Sequence, residues 1–425
     1  MPAQRVIEPV GVDSAWAARD LRIDVFRGVA LFMVLVNHLE SWAGASLVMS
    51  WSLISLGFSD AAEIFVFLSG YVFAIAYTRV LNRDGLAACV RKAARRSVQI
   101  YIAYLLAAWT IIGIGAMTLD LGPPMLNDAM RVGEDIWGSF LATLTCQFHA
   151  QGYDILAFYI PLLPIMAVIL YVHQVRPWLA WLISGGLYLL VQFQPSFNLP
   201  RFGDGDPWYF NPFAWQFLFF LGIAVSSGRR QPLNVAPRWL LLALAGGMLA
   251  LGLFVMKLLE YLVEADPGLI DTLAPFRHLY WNWADKTTLG PLRLLHFFAL
   301  VYVVSRLLPD HLAAWSSRWA RPLSVCGQHS LEAYACGLVL SFLGAFIILS
   351  GWSSVLTILS LDIVACLALV AWARTTARWK GAQPARALMA RAAHQAASPT
   401  VGARQQDRHT ATRKPKQSSR RIGRR

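Results

Sequence analysis

Long apolar stretches separated by shorter polar segments follow one another along the chain from Ile23 to about residue 373. A helix needs about 20 consecutive apolar residues to cross the hydrocarbon core of a bilayer. Ten segments have this character, and they cover residues 22–44, 58–79, 97–117, 155–173, 178–194, 211–227, 238–258, 291–308, 327–350 and 354–373. The pattern predicts an all-α integral membrane protein, built as a bundle of about ten transmembrane helices.

The composition supports a membrane protein. Hydrophobic residues make up 57% of the 425 residues and charged residues only 14%, with a mean hydropathy of +0.49. A soluble protein of this length buries too little surface to hide so many apolar side chains. The five cysteines are scattered without CxxC spacing, and no HxxxH or HExxH motif occurs. We therefore expect neither a disulfide framework nor a metal site.

The distribution of lysine and arginine predicts that both termini lie in the cytoplasm. With the N-terminus inside, the inner loops carry 13 of these residues and the outer loops carry 4. Inner loops of membrane proteins are enriched in positive charge. We therefore predict a multi-pass protein of the bacterial inner membrane. Its three regions are a cytoplasmic N-terminal segment over residues 1–21, a membrane domain over 22–373 and a basic cytoplasmic tail over 374–425.

The basic tail carries 14 lysine and arginine residues and a single acidic residue, Asp407. It has no apolar periodicity, which predicts a disordered segment beside the anionic lipid headgroups. Nucleic-acid binding is the alternative, but no motif in the tail indicates it. We expect the lipid bilayer, rather than nucleic acid, to be its partner.

Within the first predicted span, the segment from Arg22 to His38 contains four ionisable residues, Arg22, Asp24, Arg27 and His38. Such residues are costly in lipid and often mark a functional site when they face the interior of a bundle. Arg27 and His38 are 11 residues apart, so they lie on one helix face, roughly 16 Å apart along the axis. Structural roles remain open, because the arginines can extend to the headgroups, Asp24 can pair with Arg27 and His38 can bond to another helix.

The second predicted span begins with Asp60 and Glu63, whose spacing indicates a capping box. Glu63 lies one turn into the membrane, near the depth of His38, so it can orient the imidazole or pair elsewhere. The dipeptide Ser69-Gly70 is typical of a close helix–helix contact. A nucleophilic serine is the weaker interpretation, because no GxSxG motif surrounds it.

Several short motifs carry a family resemblance. Arg27 and His38 are preceded by Arg22-x-Asp24 and followed by Glu63-Ile-Phe-Val-Phe-Leu-Ser-Gly-Tyr71, which resembles the membrane-bound acyltransferase-3 superfamily. Within it, further stretches resemble the OpgC family, which succinylates osmoregulated periplasmic glucans. These stretches are Phe58-Ser-Asp-Ala-Ala-Glu-Ile-Phe-Val-Phe-Leu-Ser-Gly-Tyr71, Phe210-Asn-Pro-Phe-Ala-Trp-Gln216, Asp285-Lys-Thr-Thr-Leu-Gly-Pro-Leu-Arg-Leu-Leu-His296 and Cys326-Gly-Gln-His-Ser-Leu-Glu332. Together they span roughly residues 20–350.

The resemblance implies a membrane O-acyltransferase with a cytoplasmic acyl-CoA donor, a periplasmic glucan acceptor and no bound cofactor. Succinyl-CoA is the expected co-substrate. His38 is the candidate general base, because an unprotonated imidazole can take a proton from a sugar hydroxyl that attacks a thioester. Glu63 is its candidate catalytic partner.

The candidate binding residues fall into three groups. Arg27 is placed to bind the phosphopantetheine or phosphate end of CoA, and the nearby donor-site candidates are Asp24, Arg95 and Arg96. A succinyl donor also carries a free carboxylate, for which Lys286 or Arg293 can supply a cation. Trp215 and Gln216 combine an aromatic face with an amide, which suits a carbohydrate.

Two other classes of function remain open at this stage. A transporter or flippase for a glycan or small organic acid would use the same buried charges as a permeation path. A non-catalytic subunit of a glycan-modifying complex would fit the topology but leave His38 without a role. Placement of Arg27 and His38 on one helix face favours the acyltransferase, because simple transport does not require it.

The predicted orientation can be tested with reporter fusions. Fusions within residues 80–96 and after Ala373 should report a cytoplasmic location, because those segments carry the positive charge that is retained inside. Fusions within residues 118–154 should report a periplasmic location. A periplasmic tail would reverse the orientation and with it the side of the membrane that His38 faces.

Overall fold

Runs of apolar residues with few helix breakers form helices through most of the computed structural model, which describes residues 21–116, 132–149, 152–203, 207–227, 237–265, 282–308 and 317–397. The chain divides into two units, Met1–Arg374 and Thr375–Arg425. The α-helices are α1 (Leu21–Trp42), α2 (Leu53–Leu56), α3 (Ala61–Ala116), α4 (Ile136–Leu144), α5 (Asp154–Val175), α6 (Pro177–Phe193), α7 (Pro212–Ser227), α8 (Arg238–Ala265), α9 (Pro291–Leu307), α10 (Ala320–Gln328), α11 (Ser330–Leu349) and α12 (Val355–Ala397).

The long helix α3 is a hairpin of two arms rather than one rod. Gly85 interrupts it with a φ of 79°, a conformation that favours glycine. The Lys92 Nζ atom donates to the Ala76 carbonyl at 3.1 Å and lies 4.6 Å from the centre of the Tyr77 ring. Residues 76 and 92 would be roughly 24 Å apart along a straight helix, so the chain reverses at Gly85. The arms correspond to the predicted spans 58–79 and 97–117.

Within the described ranges, five helices are long and apolar enough to cross a membrane, and they cover Ala61–Ile114, Asp154–Val175, Arg238–Leu262, Ser330–Leu349 and Val355–Lys380. The shorter apolar helices are Pro177–Phe193 and Pro212–Ser227. The first of the five contains both arms of the α3 hairpin. Helix α1 is not among them, because its polar and charged residues lower its hydropathy. These apolar helices indicate a membrane protein, whereas the count of ten spans and the orientation stay predictions.

The last described helix continues into the segment for which disorder is predicted. Helix α12 ends at Ala397, well beyond residue 374. Alanine and arginine, which are frequent in this segment, have high helix propensity, and this favours continuation of the helix. The rest of the predicted disordered tail, residues 398–425, lies outside the described part of the chain.

Helices α1 and α10 cross at a point where two glycines face the opposing backbone. A Cβ atom added to Gly28 would overlap the carbonyl of Leu323, and one added to Gly327 would overlap the carbonyl of Asp24. Small residues allow membrane helices to approach backbone to backbone, where many atoms are in van der Waals contact. The crossing fixes the first half of α1 against α10.

The α3 hairpin and α7 cross in the same way. A Cβ atom on Gly70 would overlap the carbonyl of Phe219, and one on Gly222 would overlap the carbonyl of Phe67. The prediction that Ser69-Gly70 marks a helix contact is therefore confirmed. With α5 and α11 packed alongside, these two crossings bring α1, α3 and α7 together around the interior of the bundle.

Candidate active site

His38 lies near the end of α1 and is held by its own helix. Its Nδ1 atom is 2.7 Å from the carbonyl oxygen of Val34, one turn earlier. A carbonyl only accepts hydrogen bonds, so Nδ1 carries the proton and donates it. In the neutral ring, the Nε2 atom then bears the lone pair. The Trp42 ring packs against the imidazole with 5.0 Å between centroids, so both the orientation and the basic nitrogen of His38 are defined.

Two acids and two bases form an ion-pair cluster at the start of α3, consisting of Asp60, Glu63, Lys286 and Arg293. The Lys286 Nζ atom lies 2.6 Å from Asp60 Oδ2, and an Arg293 nitrogen lies 2.7 Å from Glu63 Oε1. The same Arg293 nitrogen is 3.8 Å from Asp60 Oδ2. Asp60 and Glu63 are both buried. The ion-pair cluster therefore joins α3 to α9 and to the loop before α9 by charge-assisted hydrogen bonds.

The predicted capping box is confirmed, and it defines what Glu63 contacts. Glu63 Oε2 accepts the backbone N–H of Asp60 at 2.8 Å, and Asp60 Oδ1 accepts the N–H of Ala62 at 2.8 Å. The other Glu63 oxygen accepts from Arg293. Both oxygens thus have partners other than His38, and the Val34 carbonyl orients the imidazole instead. A catalytic role for Glu63 stays a prediction, and it would act through the ion-pair cluster.

Opposite charge decides the protonation of Lys286, which lies in the loop before α9. Burial disfavours the charged form of Lys286, but the Asp60 carboxylate outweighs burial and raises the pKa of Lys286 above its ordinary value. Lys286 and Arg293 each have an acidic partner already. A succinyl carboxylate, their predicted ligand, would therefore compete with Asp60 and Glu63.

The ion-pair cluster and His38 lie at the same end of the bundle. Lys286, Asp60 and Asp154 all interact electrostatically with His38. Asp154 begins α5, and its Oδ1 atom is 3.0 Å from His149 Nδ1. The short segment before α5 lies beside α1, because a Cβ atom on Gly152 would be 3.2 Å from the Trp42 ring. Charged groups from three separate stretches of the chain therefore lie at the same end of the bundle as the candidate base.

Arg27, toward the other end of α1, lines a cavity of about 220 Å³. One guanidinium nitrogen donates to Ser330 Oγ at 2.5 Å, and the guanidinium carbon lies 5.6 Å from the centre of the Phe65 ring. Arg96, from the second arm of the α3 hairpin, lines the same cavity. Two of the predicted donor-site residues are therefore brought together. Of the other two, Arg95 is exposed and outside the cavity lining, and Asp24 is buried at the α1–α10 crossing.

The cavity also contains residues that sequence reasoning did not select. Ser330 bonds to Arg27, and the side chains of Tyr159 and Tyr334 complete the wall. In the sequence these tyrosines lie inside apolar spans and are typical of ordinary packing. The signal that the sequence offers is a phenolic hydroxyl inside an otherwise apolar span, since buried tyrosine hydroxyls usually find a polar partner.

Trp215 and Gln216 are packing residues of the bundle in this structure. Trp215 is completely buried, and its indole N–H donates to the Lys286 carbonyl at 2.9 Å. The Gln216 side chain donates to the Ser184 carbonyl at 2.8 Å and accepts from the Ser184 hydroxyl at 2.7 Å. Their predicted contact with a sugar would need these bonds to break. The physical reason for the difference is that α7 uses both side chains to attach its first turns to neighbouring segments.

Comparison with known proteins identifies a family. The family model described as OpgC protein matches residues 19–381, which is most of the chain. No curated protein matches the chain, and no solved structure does. The match shows that this protein belongs to the OpgC family, which implies a glucan-modifying transferase acting on osmoregulated periplasmic glucans.

The buried pair of Glu63 and Arg293 gives a stability prediction. The variant Glu63→Gln removes the carboxylate that faces Arg293 and leaves the buried guanidinium with the more distant Asp60 carboxylate, 3.8 Å away, which already pairs with Lys286. We expect the free energy of unfolding to fall by about 3–5 kcal/mol, measured as a lower midpoint of thermal denaturation in detergent.

A matched control uses the exposed pair on α8. Lys257 Nζ and Glu260 Oε2 are also 2.6 Å apart, but their side chains are 40% and 46% exposed. The variant Glu260→Gln should leave the midpoint almost unchanged, because solvent screens exposed pairs. Equal midpoints for the Glu63→Gln and Glu260→Gln proteins would contradict a stabilising role for the Glu63–Arg293 pair.

Proposed function

We propose, with membership of the OpgC family as the premise, that this protein transfers a succinyl or related acyl group from cytoplasmic acyl-CoA to a hydroxyl of a periplasmic glucan. The observation that carries the proposal is the arrangement along α1. His38 has a fixed Nδ1–H and a basic Nε2 toward one end of the helix face, and Arg27 lines a cavity toward the other end. Acyl transfer needs a base and a donor site in a fixed relation, and α1 supplies both.

In the proposed reaction the cavity binds the donor. The guanidinium groups of Arg27 and Arg96 suit the phosphate groups of CoA, since arginine binds phosphate with charge-assisted hydrogen bonds. Phe65 and the tyrosines give the cavity apolar walls that fit the pantetheine arm. Arg27 and His38 are roughly 16 Å apart along the helix, so the arm has to extend along α1 to bring its thioester to His38.

At His38 the sugar hydroxyl gives its proton to Nε2 while its oxygen attacks the thioester carbonyl carbon. The tetrahedral intermediate then collapses, the carbon–sulfur bond breaks and the CoA sulfur takes the proton from the imidazolium. The products are an acylated glucan and free CoA, and the neutral imidazole is restored. General-base assistance of this kind typically accelerates a reaction by about 10²–10⁴-fold. The Val34 carbonyl keeps the ring oriented through both proton transfers.

The first functional prediction concerns His38. The variant His38→Gln keeps a polar side chain but removes the basic nitrogen, so acyl transfer from succinyl-CoA to glucan should fall at least about 10²-fold. Cells with this variant should make glucans without the acyl group and its negative charge, as measured by mass spectrometry.

Loss of activity supports a general base only if the variant is intact. The purified His38→Gln protein should therefore remain monodisperse and bind acyl-CoA with wild-type affinity. If such a protein still acylates its glucans at the wild-type level, His38 is not the base. The transporter or flippase alternative would then be favoured, because it needs the buried charges but no proton acceptor at position 38.

The second functional prediction concerns the donor. The variant Arg27→Ala removes a cation from the cavity and should weaken binding of succinyl-CoA to the purified protein by about tenfold or more, because a charge-assisted hydrogen bond is lost. Isothermal titration in detergent or nanodiscs measures this affinity. A matched control is Arg306→Ala, which removes an exposed cation from the last turn of α9. Equal affinities in the two variants would limit Arg27 to a structural role.

A further inference from the structure

Tyr209 is exposed in a segment where both of its neighbours are buried. The Tyr209 side chain is 44% exposed, whereas Trp208 and Phe210 are 5% and 8% exposed. The three residues lie in the connection between α6 and α7. A large aromatic ring that stays open while its neighbours are anchored offers a flat apolar face and a hydroxyl to a ligand.

Hydrogen bonds on both sides hold the backbone of this segment. The Trp208 N–H donates to the Leu199 carbonyl at 2.8 Å, and the Trp208 carbonyl accepts from Asn198 at 2.8 Å. Two residues after Tyr209, the Asn211 N–H donates to the Thr287 carbonyl at 3.1 Å. A ligand that binds Tyr209 therefore does not have to order a free loop, which lowers the entropy cost of binding.

The ring of Tyr209 stands beside the ion-pair cluster. Lys286 Nζ lies 5.8 Å from the centre of the Tyr209 ring and 2.6 Å from Asp60. Asp60, Lys286 and Asp154 interact electrostatically with Tyr209, and the same three groups interact with His38. The exposed ring and the candidate base thus share one set of charged neighbours.

A second series of contacts runs from Trp208, the residue before Tyr209, to the surroundings of His38. The Trp208 ring lies 4.6 Å from the His149 ring, and His149 pairs with Asp154 at the start of α5. The segment before Asp154 contacts the Trp42 ring, which packs on His38 at 5.0 Å. The segment that carries Tyr209 and the end of α1 that carries His38 are therefore linked through the start of α5 as well as through the ion-pair cluster.

We propose that Tyr209 is an acceptor-binding residue whose exposed ring stacks on a glucose unit of the glucan and directs a hydroxyl of that chain toward His38. A pyranose ring has an apolar C–H face and a rim of hydroxyls, which match the flat face and the polar tip of a tyrosine. Trp215 and Gln216 are buried and bonded within the bundle, so they do not provide this surface. This inference rests on the proposed function and identifies the acceptor contact of that same site.

The test is a steady-state measurement with purified protein in nanodiscs, succinyl-CoA as donor and unsubstituted periplasmic glucan from cells that lack the gene as acceptor. The variant Tyr209→Ala should raise the KM for glucan by about tenfold, since the stacking contact is lost, and should leave the KM for succinyl-CoA and the melting temperature unchanged. Tyr209→Phe keeps the ring and should stay within about threefold of wild type. The control Tyr261→Ala removes another exposed tyrosine, on α8, and should change neither KM.

Direct binding of glucan to the His38→Gln protein separates this inference from the proposed reaction. Binding that is lost on adding Tyr209→Ala supports the acceptor contact even where no transfer occurs. Wild-type protein that acylates glucan while Tyr209→Ala keeps a wild-type KM and affinity would overturn the inference and leave the proposed function standing. A Tyr209→Ala protein that changes only in melting temperature would also overturn it, because that result indicates an anchor at the membrane interface.

Discussion

The pairing of two buried carboxylates with a lysine and an arginine is the constraint on which the candidate site depends. Asp60 and Glu63 are taken out of solvent at the start of α3, where an unpaired carboxylate would cost several kcal/mol. Lys286 and Arg293 neutralise them from positions 226 and 230 residues later in the sequence. Since either charge alone would be destabilising, α3, α9 and the loop before α9 come together as a unit. Trp215 and Asn211 then bond to carbonyls of that loop, which attaches α7 as well.

The same pairing leaves His38 free of an ionic partner among the contacts that the structure describes. Glu63 is close in depth but gives its oxygens to Arg293 and to the Asp60 amide. The imidazole is oriented by a neutral carbonyl, which fixes its position without a carboxylate. For the proposed reaction this is an advantage, because a strongly ion-paired imidazolium would hold its proton and be a poor base. Asp60 and Glu63 support the site indirectly, because their ion pairs with the lysine and arginine of the cluster hold the surrounding segments together.

The sequence allowed correct prediction of the features that depend on local periodicity and local bonding. Apolar length predicted helices that suit a membrane, the Asp60–Glu63 spacing predicted the capping box, and Ser69-Gly70 predicted a close crossing. Contacts between distant segments were harder to predict. Nothing in the local pattern around Glu63 reveals that Arg293 occupies its oxygen, and Trp215 has the same sequence context whether its indole faces a sugar or the Lys286 carbonyl. Those outcomes depend on which helices meet, and therefore on tertiary packing.

Helix α1 sets the relative position of Arg27 and His38, the two residues at the ends of the proposed reaction, and its packing against neighbouring helices holds it in place. Gly28 fixes its first half against α10, and the Ser341 hydroxyl of α11 donates to the Leu35 carbonyl at 2.7 Å further along. Each residue of a helix advances about 1.5 Å and turns about 100°. A shift of one residue between Arg27 and His38 would therefore turn His38 away from the helix face that carries Arg27, although it would change their separation only slightly. The spacing of 11 residues therefore matters chiefly because it places the side chains of Arg27 and His38 on the same side of α1. Contacts with α10 and α11, on either side of Val34, keep that side of the helix in a fixed orientation.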